Sequence, residues 1–142
     1  MNDLIETCKN GELGFQACAE RAQSPDLQSL FRQRSVECRE SAATLQSLVL
    51  QYGGRPETDG TTAGAMHRGW TNLRANLTDS TDEILLNECE RGEDEALATY
   101  RKATSKNLPP RVAQEVQRQL EGVQSNHDQI KLLRNQERAT NA

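Results

Sequence analysis

Aromatic residues, histidines and long apolar runs are scarce in this sequence of 142 residues. Phe, Tyr and Trp make up only 4% of it, so a core has to be built from Leu, Ile, Val, Ala and Cys, as in many helical bundles. The longest apolar stretches, such as residues 48–50, are a few residues long, whereas a membrane helix needs about 20. Because the first residues also lack a basic start followed by an apolar block, the sequence predicts a cytoplasmic protein that does not associate with membranes.

A basic surface is absent as well. The 17 Lys and Arg residues are interleaved with 21 Asp and Glu residues, which gives a net charge of −4. Nucleic-acid backbones are bound by clustered positive charge, so we expect no nucleic-acid partner. The sequence also has no Gly-rich phosphate loop, nucleophile elbow or Ser/His/Asp pattern. These absences argue against hydrolase and transferase chemistry and favour a protein that is not an enzyme.

Four long segments have the spacing of amphipathic helices. In the first, apolar or small residues recur at alternating steps of four and three, which is the period of one helix face: Leu4, Cys8, Gly11, Phe15, Cys18 and Ala22. Ser24-Pro25 is a helix start signal and Gly53-Gly54 is a stop signal. Together with similar patterns further along, these features predict helix A over 2–22, helix B over 25–53, helix C over 81–105 and helix D over 109–136.

The connections between these helices predict their arrangement. Short turns join A to B and C to D, so each pair should form an antiparallel hairpin. The long segment between B and C contains a predicted crossover helix over 63–77, in which Trp70 would pin the segment to the bundle. We therefore predict an all-α fold, namely a ferritin-like up-down-down-up four-helix bundle with an extra short helix in the B–C crossover. It would form a single domain over 1–138 with a frayed tail over 139–142.

Several short motifs are similar to those of a known family. They are Leu4-Ile5-Glu6, Asn10-Gly11, Gly14-Phe15, Gly64 with His67-Arg68-Gly69-Trp70, Glu88-Cys89-Glu90-Arg91-Gly92-Glu93-Asp94 and His127-Asp128-Gln129-Ile130. Their combination resembles an uncharacterised bacterial family of ferritin-like four-helix-bundle proteins. The resemblance covers nearly the whole chain. It implies a ferritin-like fold and no assigned activity.

The wider ferritin-like group often binds two metal ions between its helices, through carboxylates and Glu-x-x-His pairs. This sequence departs from that pattern. Helix B offers Glu37-x-x-Glu40 without a histidine, and helix D offers Gln124-x-x-His127 without a glutamate. Only Glu93 on helix C has the expected residue type near the inward face. We therefore interpret the di-iron ligand set as degenerate and expect no cofactor.

A different metal site is an alternative interpretation. Cys8 and Cys38 lie about equally far from the A–B turn, and Cys89 and His127 about equally far from the C–D turn. If the centres of helices B and C align, these two pairs lie within about one helical turn, roughly 5 Å, of each other. Three thiols and one imidazole suit zinc, and thiolates also bind iron–sulfur clusters. The candidate metal ligands are Cys8, Cys38, Cys89 and His127, with Glu37 and Glu93 as supporting or replacement ligands.

The simpler interpretation treats the four cysteines as reduced thiols that fill the core. Arg34, which falls on the inward face of helix B, would then pair with Glu93 or Glu12 in a buried polar layer. On this interpretation the protein is a non-enzymatic scaffold that acts by association with a second copy or a protein partner, in stress physiology if the resemblance holds. The remaining alternatives are a metal-binding or redox protein, with zinc or iron in the bundle core, and an adaptor that binds a partner helix through an exposed apolar patch.

Overall fold

The computed structural model describes residues 1–55, residue 70 and residues 81–141. Within these residues the chain forms four α-helices and no strand: α1 Asn2–Arg21, α2 Pro25–Gln51, α3 Asp82–Thr104 and α4 Pro110–Asn141. The prediction of an all-α, four-helix fold is confirmed at this level. None of the four helices is apolar enough over a sufficient length to cross a membrane.

The helix bounds agree with the predicted ones to within two residues, with one exception at the C-terminus. The predicted end of helix D was residue 136, but α4 continues to Asn141. The expected frayed tail is therefore wrong for residues 139–141, which extend the same polar helix. The predicted crossover helix over 63–77 lies outside the described residues, apart from Trp70, which is buried.

Local signals explain where α2 and α3 begin and where α2 ends. The Ser24 hydroxyl accepts a hydrogen bond from the Leu27 backbone N–H at the start of α2, and Thr81 does the same for α3. Such caps satisfy backbone donors that a helix leaves unpaired in its first turn. Gly53, with φ of +80°, follows the end of α2 in a left-handed conformation that favours glycine.

Contacts between the helices define how they run. Helix α1 contacts α2 through the pairs Gly11–Cys38 and Glu12–Ser35. It contacts α3 through the pairs Cys8–Tyr100 and Cys18–Cys89. Helix α3 contacts α4 through the pairs Tyr100–Gln119 and Glu93–Asn126. In each of these pairings one residue number rises as the other falls, so the paired helices are antiparallel. Close backbone packing joins these three pairs of helices, whereas α2 and α4 have few close backbone contacts.

The core consists of the inward faces of the four helices. The predicted face of α1 is buried in full, as are Arg34 and Cys38 on α2. On α4 the spacing of Val116, Leu120, Val123, His127 and Ile130 predicted the inward face, and this prediction is partly wrong. Gln119 and Asn126 are buried there, whereas His127, which was expected to point inward, is only partly buried.

Candidate functional site

A polar cavity lies in the middle of the bundle. It has a volume of about 260 Å³, and all four helices and Trp70 contribute to its walls. Its rim is formed by exposed side chains of α2, such as Glu37 and Thr44, and by Arg118 and Gly122 of α4. The cavity therefore opens between α2 and α4, the two helices that have few close backbone contacts.

One side of the cavity is formed by a chain of hydrogen bonds that reaches all four helices. The Tyr100 hydroxyl donates to Gln119 Oε1 at 2.7 Å, so its oxygen is left to accept from the Cys8 thiol, whose sulfur lies 3.1 Å away. Gln119 Nε2 in turn donates to the backbone carbonyl of Ser41 at 3.4 Å. Because each group has a partner of the opposite type, this chain holds the four helices in one register.

A second polar layer bounds the cavity on its other side. Arg34 Nε lies 3.4 Å from Glu93 Oε1, and Asn126 Nδ2 donates to the same oxygen at 2.5 Å. The Arg34 guanidinium also lies 5.6 Å from the centre of the Phe15 ring, in a cation–π contact. The expected pairing of Arg34 with Glu93 is confirmed. A charge pair with additional hydrogen bonds is the arrangement in which buried ions are tolerated.

Burial keeps the thiols of the cavity protonated. It raises the pKa of Cys8 to about 11, and it raises the pKa of Cys38 further, although the nearby Arg34 charge opposes both shifts. Burial likewise raises the pKa of Tyr100 and of Glu93, the latter despite the stabilising charge of Arg34. Since the thiolate is the reactive form of cysteine, Cys8 and Cys38 are poor nucleophiles at neutral pH.

Trp70 closes the cavity on a third side by inserting between α1 and α3. A Cβ atom placed on Gly14 or on Gly92 would lie 2.3 Å from the indole ring, so the ring lies against the backbone of both helices. The ring also makes an edge contact with Phe15, with centroids 5.1 Å apart. The two glycines therefore make room for the indole, and Trp70 packs against the bundle as expected.

Two polar side chains in the cavity wall have no hydrogen-bond partner among the described residues. They are Asn10, through both its Oδ1 and its Nδ2, and Thr7, through its hydroxyl. Both residues are buried and line the cavity. A buried polar group without a partner costs about 1–3 kcal/mol, so this wall has unused hydrogen-bonding capacity.

The rim carries more negative than positive charge. Among the described residues, Glu37, Glu40 and Glu95 lie there, and Arg118 is the one basic residue at the rim. The guanidinium of Arg118 is itself paired with Glu115 at 2.5 and 2.9 Å. Inside, Arg34 and Glu93 balance each other. The field at the entrance therefore disfavours anions.

Four of the six sequence-predicted metal ligands line this one cavity: Cys8, Cys38, Glu37 and Glu93. Their donor atoms are spread around its walls. Among the described residues, no combination of three or more of these side chains brings its donor atoms within 4.8 Å of one another. The cavity thus unites most of the predicted set without forming a coordination site.

The other two predicted ligands lie elsewhere. Cys89 packs against Cys18, with the two sulfurs 3.6 Å apart in the apolar core. His127 forms a hydrogen bond with Asp94, its Nε2 lying 2.6 Å from Oδ1. The predicted convergence of three thiols and one imidazole is therefore not what the structure shows, because the two hairpins are aligned in a different register from the assumed one.

The partly buried His127 belongs to an ionic layer between α3 and α4. Among the described residues, Glu90, Asp94 and His127 form the one group of three His, Cys, Asp or Glu side chains whose donor atoms all lie within 4.8 Å of one another. Glu90, however, is paired with the Arg134 guanidinium, and Asp94 with His127. Each of the three side chains therefore already has a polar partner, and these pairings hold α3 and α4 together.

The sequence interpretation missed several residues that line the cavity or its approach. Gln119 and Asn10 were not among the candidates, although both line the cavity. A signal for Gln119 was present, because it falls seven residues before Asn126 and between valines at 116 and 123, which are heptad positions of a bundle helix.

Comparison with known proteins gives a family and no activity. No curated protein is significantly similar to the chain. The family model described as a domain of unknown function (DUF2383) matches residues 1–106, which contain α1, α2, Trp70 and α3. The expectation of an uncharacterised family is confirmed to that extent, and since the match covers most of the chain, this protein belongs to the DUF2383 family.

Proposed function

We propose that this protein is a non-enzymatic, ferritin-like bundle whose central cavity binds a small polar molecule without net negative charge. The observation that carries the proposal is the cavity of about 260 Å³, whose wall holds polar groups with no partner among the described residues. Ligand pockets are usually the largest concave sites with a few convergent polar groups.

The helix directions support the ferritin-like part of the proposal. α1 runs antiparallel to both α2 and α3, and α3 runs antiparallel to α4. A long connection separates the two hairpins. Together these features correspond to an up-down-down-up order with one long crossover, as in ferritin-like bundles.

The cavity lies where such bundles hold their metal ions, between facing helices at mid-height. Here α2 presents Cys38-x-x-Ser41 and α4 presents Gln119-x-x-Gly122 toward it. These side chains are shorter or more neutral than the Glu-x-x-His pairs of a di-metal site. We infer that loss of those bulky ligands leaves the space that a small molecule occupies.

The chemistry of the walls indicates the class of ligand. The thiols and the Tyr100 hydroxyl stay protonated, and the Arg34–Glu93 pair is neutral overall. The acidic rim disfavours anions, whereas Asn10 and Thr7 offer both donors and an acceptor. A ligand that paired with these groups would recover part of the cost of their burial. An uncharged or cationic molecule smaller than most drugs fits this volume.

Gly122 provides a clean test because a Cβ atom there would meet no other atom within 4 Å. Gly122→Leu should fill the mouth of the cavity without straining the fold, and Leu favours the helix. The matched control is Gln129→Leu, an exposed site two turns further along α4 that does not line the cavity.

The measurement is a ligand-observed NMR screen of small polar fragments grouped by charge, with benzamide, benzylamine and benzoate as one matched set. We expect neutral and cationic fragments to bind the wild type and Gln129→Leu, and to lose binding to Gly122→Leu. Binding that is equal in all three proteins, or that is strongest for anionic fragments, would contradict the proposal.

A metal ion in the same cavity is a second candidate, since Cys8, Cys38 and Glu93 lie in its walls, and binding would require their donor atoms to move closer together. Metal binding by thiols requires their deprotonation and therefore releases protons. Titration of the protein with Zn²⁺ in weak buffer should then release protons in the wild type and fewer in Cys38→Ser. Absence of saturable zinc binding would remove this candidate and leave the first one standing.

A further inference from the structure

Cys18 of α1 and Cys89 of α3 form a thiol pair that the proposed function does not use. Their sulfurs are 3.6 Å apart, with the Cys89 thiol donating to the Cys18 sulfur. Both side chains have no exposed surface. Among the described residues, this is the one contact between two cysteine sulfurs, because Cys8 bonds with Tyr100 and Cys38 packs against Gly11.

The pair lies in an apolar part of the core, next to the insertion of Trp70. It packs in the same cluster as Phe15, Trp70 and Ile130. Cys18 lies one helical turn beyond Gly14, and Cys89 lies one turn before Gly92. Each cysteine is therefore one turn away from a glycine whose backbone contacts the indole. Burial raises the pKa of Cys89. Both cysteines are free thiols in the structure.

We infer that Cys18 and Cys89 form a reversible disulfide on reaction with a hydroperoxide, which makes the α1–α3 interface sensitive to oxidation. Both S–H bonds break and one S–S bond forms. Each sulfur loses one electron, the O–O bond of the peroxide breaks as it accepts both electrons, and one thiol proton goes to each of the two peroxide oxygens, giving water and an alcohol. With hydrogen peroxide the products are the disulfide and two water molecules.

The geometry requires only a small movement. A disulfide has an S–S distance of about 2.05 Å, so the sulfurs must approach by about 1.5 Å from their present separation. Rotation about the side-chain bonds of two residues on adjacent helices can supply a movement of this size. The resulting bond would join the α1–α2 hairpin to the α3–α4 hairpin and close a loop that contains the whole B–C crossover.

Burial determines when the reaction occurs. Because neither sulfur is exposed, the oxidant must wait for a local opening of the α1–α3 interface. Trp70 is the side chain that fills this interface one turn away. Oxidation should therefore be slow in the native protein and faster when Trp70 is truncated, whereas a pair at the surface would react at the same rate in both proteins.

The test uses the full-length protein treated with hydrogen peroxide, followed by digestion without reduction and mass spectrometry. We expect a peptide pair that links Cys18 to Cys89, the loss of two hydrogen atoms from the intact mass, and a higher Tm that returns to its original value on reduction. Cys18→Ala should abolish the cross-link, and the matched variant Cys38→Ala should keep it. Trp70→Ala should speed its formation by at least about tenfold.

Several outcomes would overturn the inference. They are a cross-link that involves Cys8 or Cys38 instead, oxidation of Cys18 or Cys89 to a sulfinic acid without a cross-link, and a protein in which all four thiols remain reduced after prolonged treatment of Trp70→Ala. If Cys18→Ala fails to fold, the map of linked peptides in the wild type still decides the matter.

Discussion

The substitution Gly92→Ala tests how tightly Trp70 is held between α1 and α3. The added Cβ atom would lie 2.3 Å from the indole ring, whereas carbon atoms in contact are about 3.5–4.0 Å apart. The ring has no free space toward α1, because a Cβ atom on Gly14 would also be 2.3 Å from it. Either the helices move apart or Trp70 leaves its site.

The expected cost follows from these two routes. Overpacking a core costs about 1–3 kcal/mol, and losing the contacts of a buried Trp sets a ceiling of about 3–5 kcal/mol. Alanine recovers about 1 kcal/mol relative to glycine within a helix. After this gain is subtracted, we expect Gly92→Ala to lower the free energy of unfolding by up to about 2 kcal/mol. Gly122→Ala is the matched control, and it should raise that free energy by about 0.5–1 kcal/mol because its Cβ meets nothing within 4 Å.

Guanidinium unfolding followed by circular dichroism measures both values, and the fluorescence of Trp70, the single tryptophan of the chain, reports whether the indole becomes exposed. The double variant Trp70→Ala, Gly92→Ala completes a thermodynamic cycle. In the absence of the indole, Gly92→Ala should stabilise the protein as Gly122→Ala does. Equal changes in stability for Gly92→Ala and Gly122→Ala in the wild-type background would show that the indole does not fill the space beside Gly92.

Three further predictions concern the polar layers and the turn between α1 and α2. Tyr100→Phe should cost about 1–3 kcal/mol of stability, because it leaves Gln119 Oε1 buried without its donor; chemical denaturation checks this, and an unchanged midpoint would count against the hydrogen-bond chain. Burial raises the pKa of Glu93 above its ordinary value of 4.5, so the folded state holds this proton more tightly than the unfolded state does. Stability should therefore fall as the pH rises from about 4.5 through the raised pKa, and unfolding of Glu93→Gln over the same pH range should lack that component. Asp82→Ala should cost about 1–2 kcal/mol, because its carboxylate accepts from the backbone N–H groups of Gln23 and Ser24 at 2.8 and 3.1 Å; a loss as large in the nearby variant Glu83→Ala would show that the effect is only one of charge.

The four helices were predictable from the sequence because their apolar spacing and capping residues agree. The inward face of α4 was less certain for a physical reason. Val116, Val123 and Ile130 are seven residues apart and belong to either of two overlapping faces, one completed by Gln119 and Asn126, the other by Leu120 and His127. The apolar Leu120 favours the second face, yet the first is buried, since Gln119 and Asn126 pair with groups on α3 that a one-dimensional pattern does not show.

The alignment of the two helices within a hairpin was predictable from the sequence, whereas the alignment of one hairpin with the other was not. The short turn between α1 and α2 places Cys38 opposite Gly11, one turn from the predicted level of Cys8. The alignment of α1 with α3 depends instead on the long connection and on Trp70. As a result Cys89 lies beside Cys18 and away from Cys8, which pairs with Tyr100. Because of this alignment, the side chains predicted to bind a metal do not meet in one place.

The cavity was not predictable, because it depends on what several short side chains leave unfilled. Gly11, Ser41 and Gly122 each look like ordinary helix residues in the sequence, and their shared level becomes clear only when the helices are assembled. Arg34 was the one strong sequence signal for this region. A buried arginine requires a partner, and the structure supplies Glu93.

Native mass spectrometry of the protein isolated from its own cells shows directly whether the cavity retains a small molecule. We expect a single small, uncharged or cationic molecule bound in a one-to-one ratio to the wild type and to Gln129→Leu, and lost from Gly122→Leu. A bound molecule that Gly122→Leu retains at the same level would contradict the proposal, as would a bound molecule that carries net negative charge.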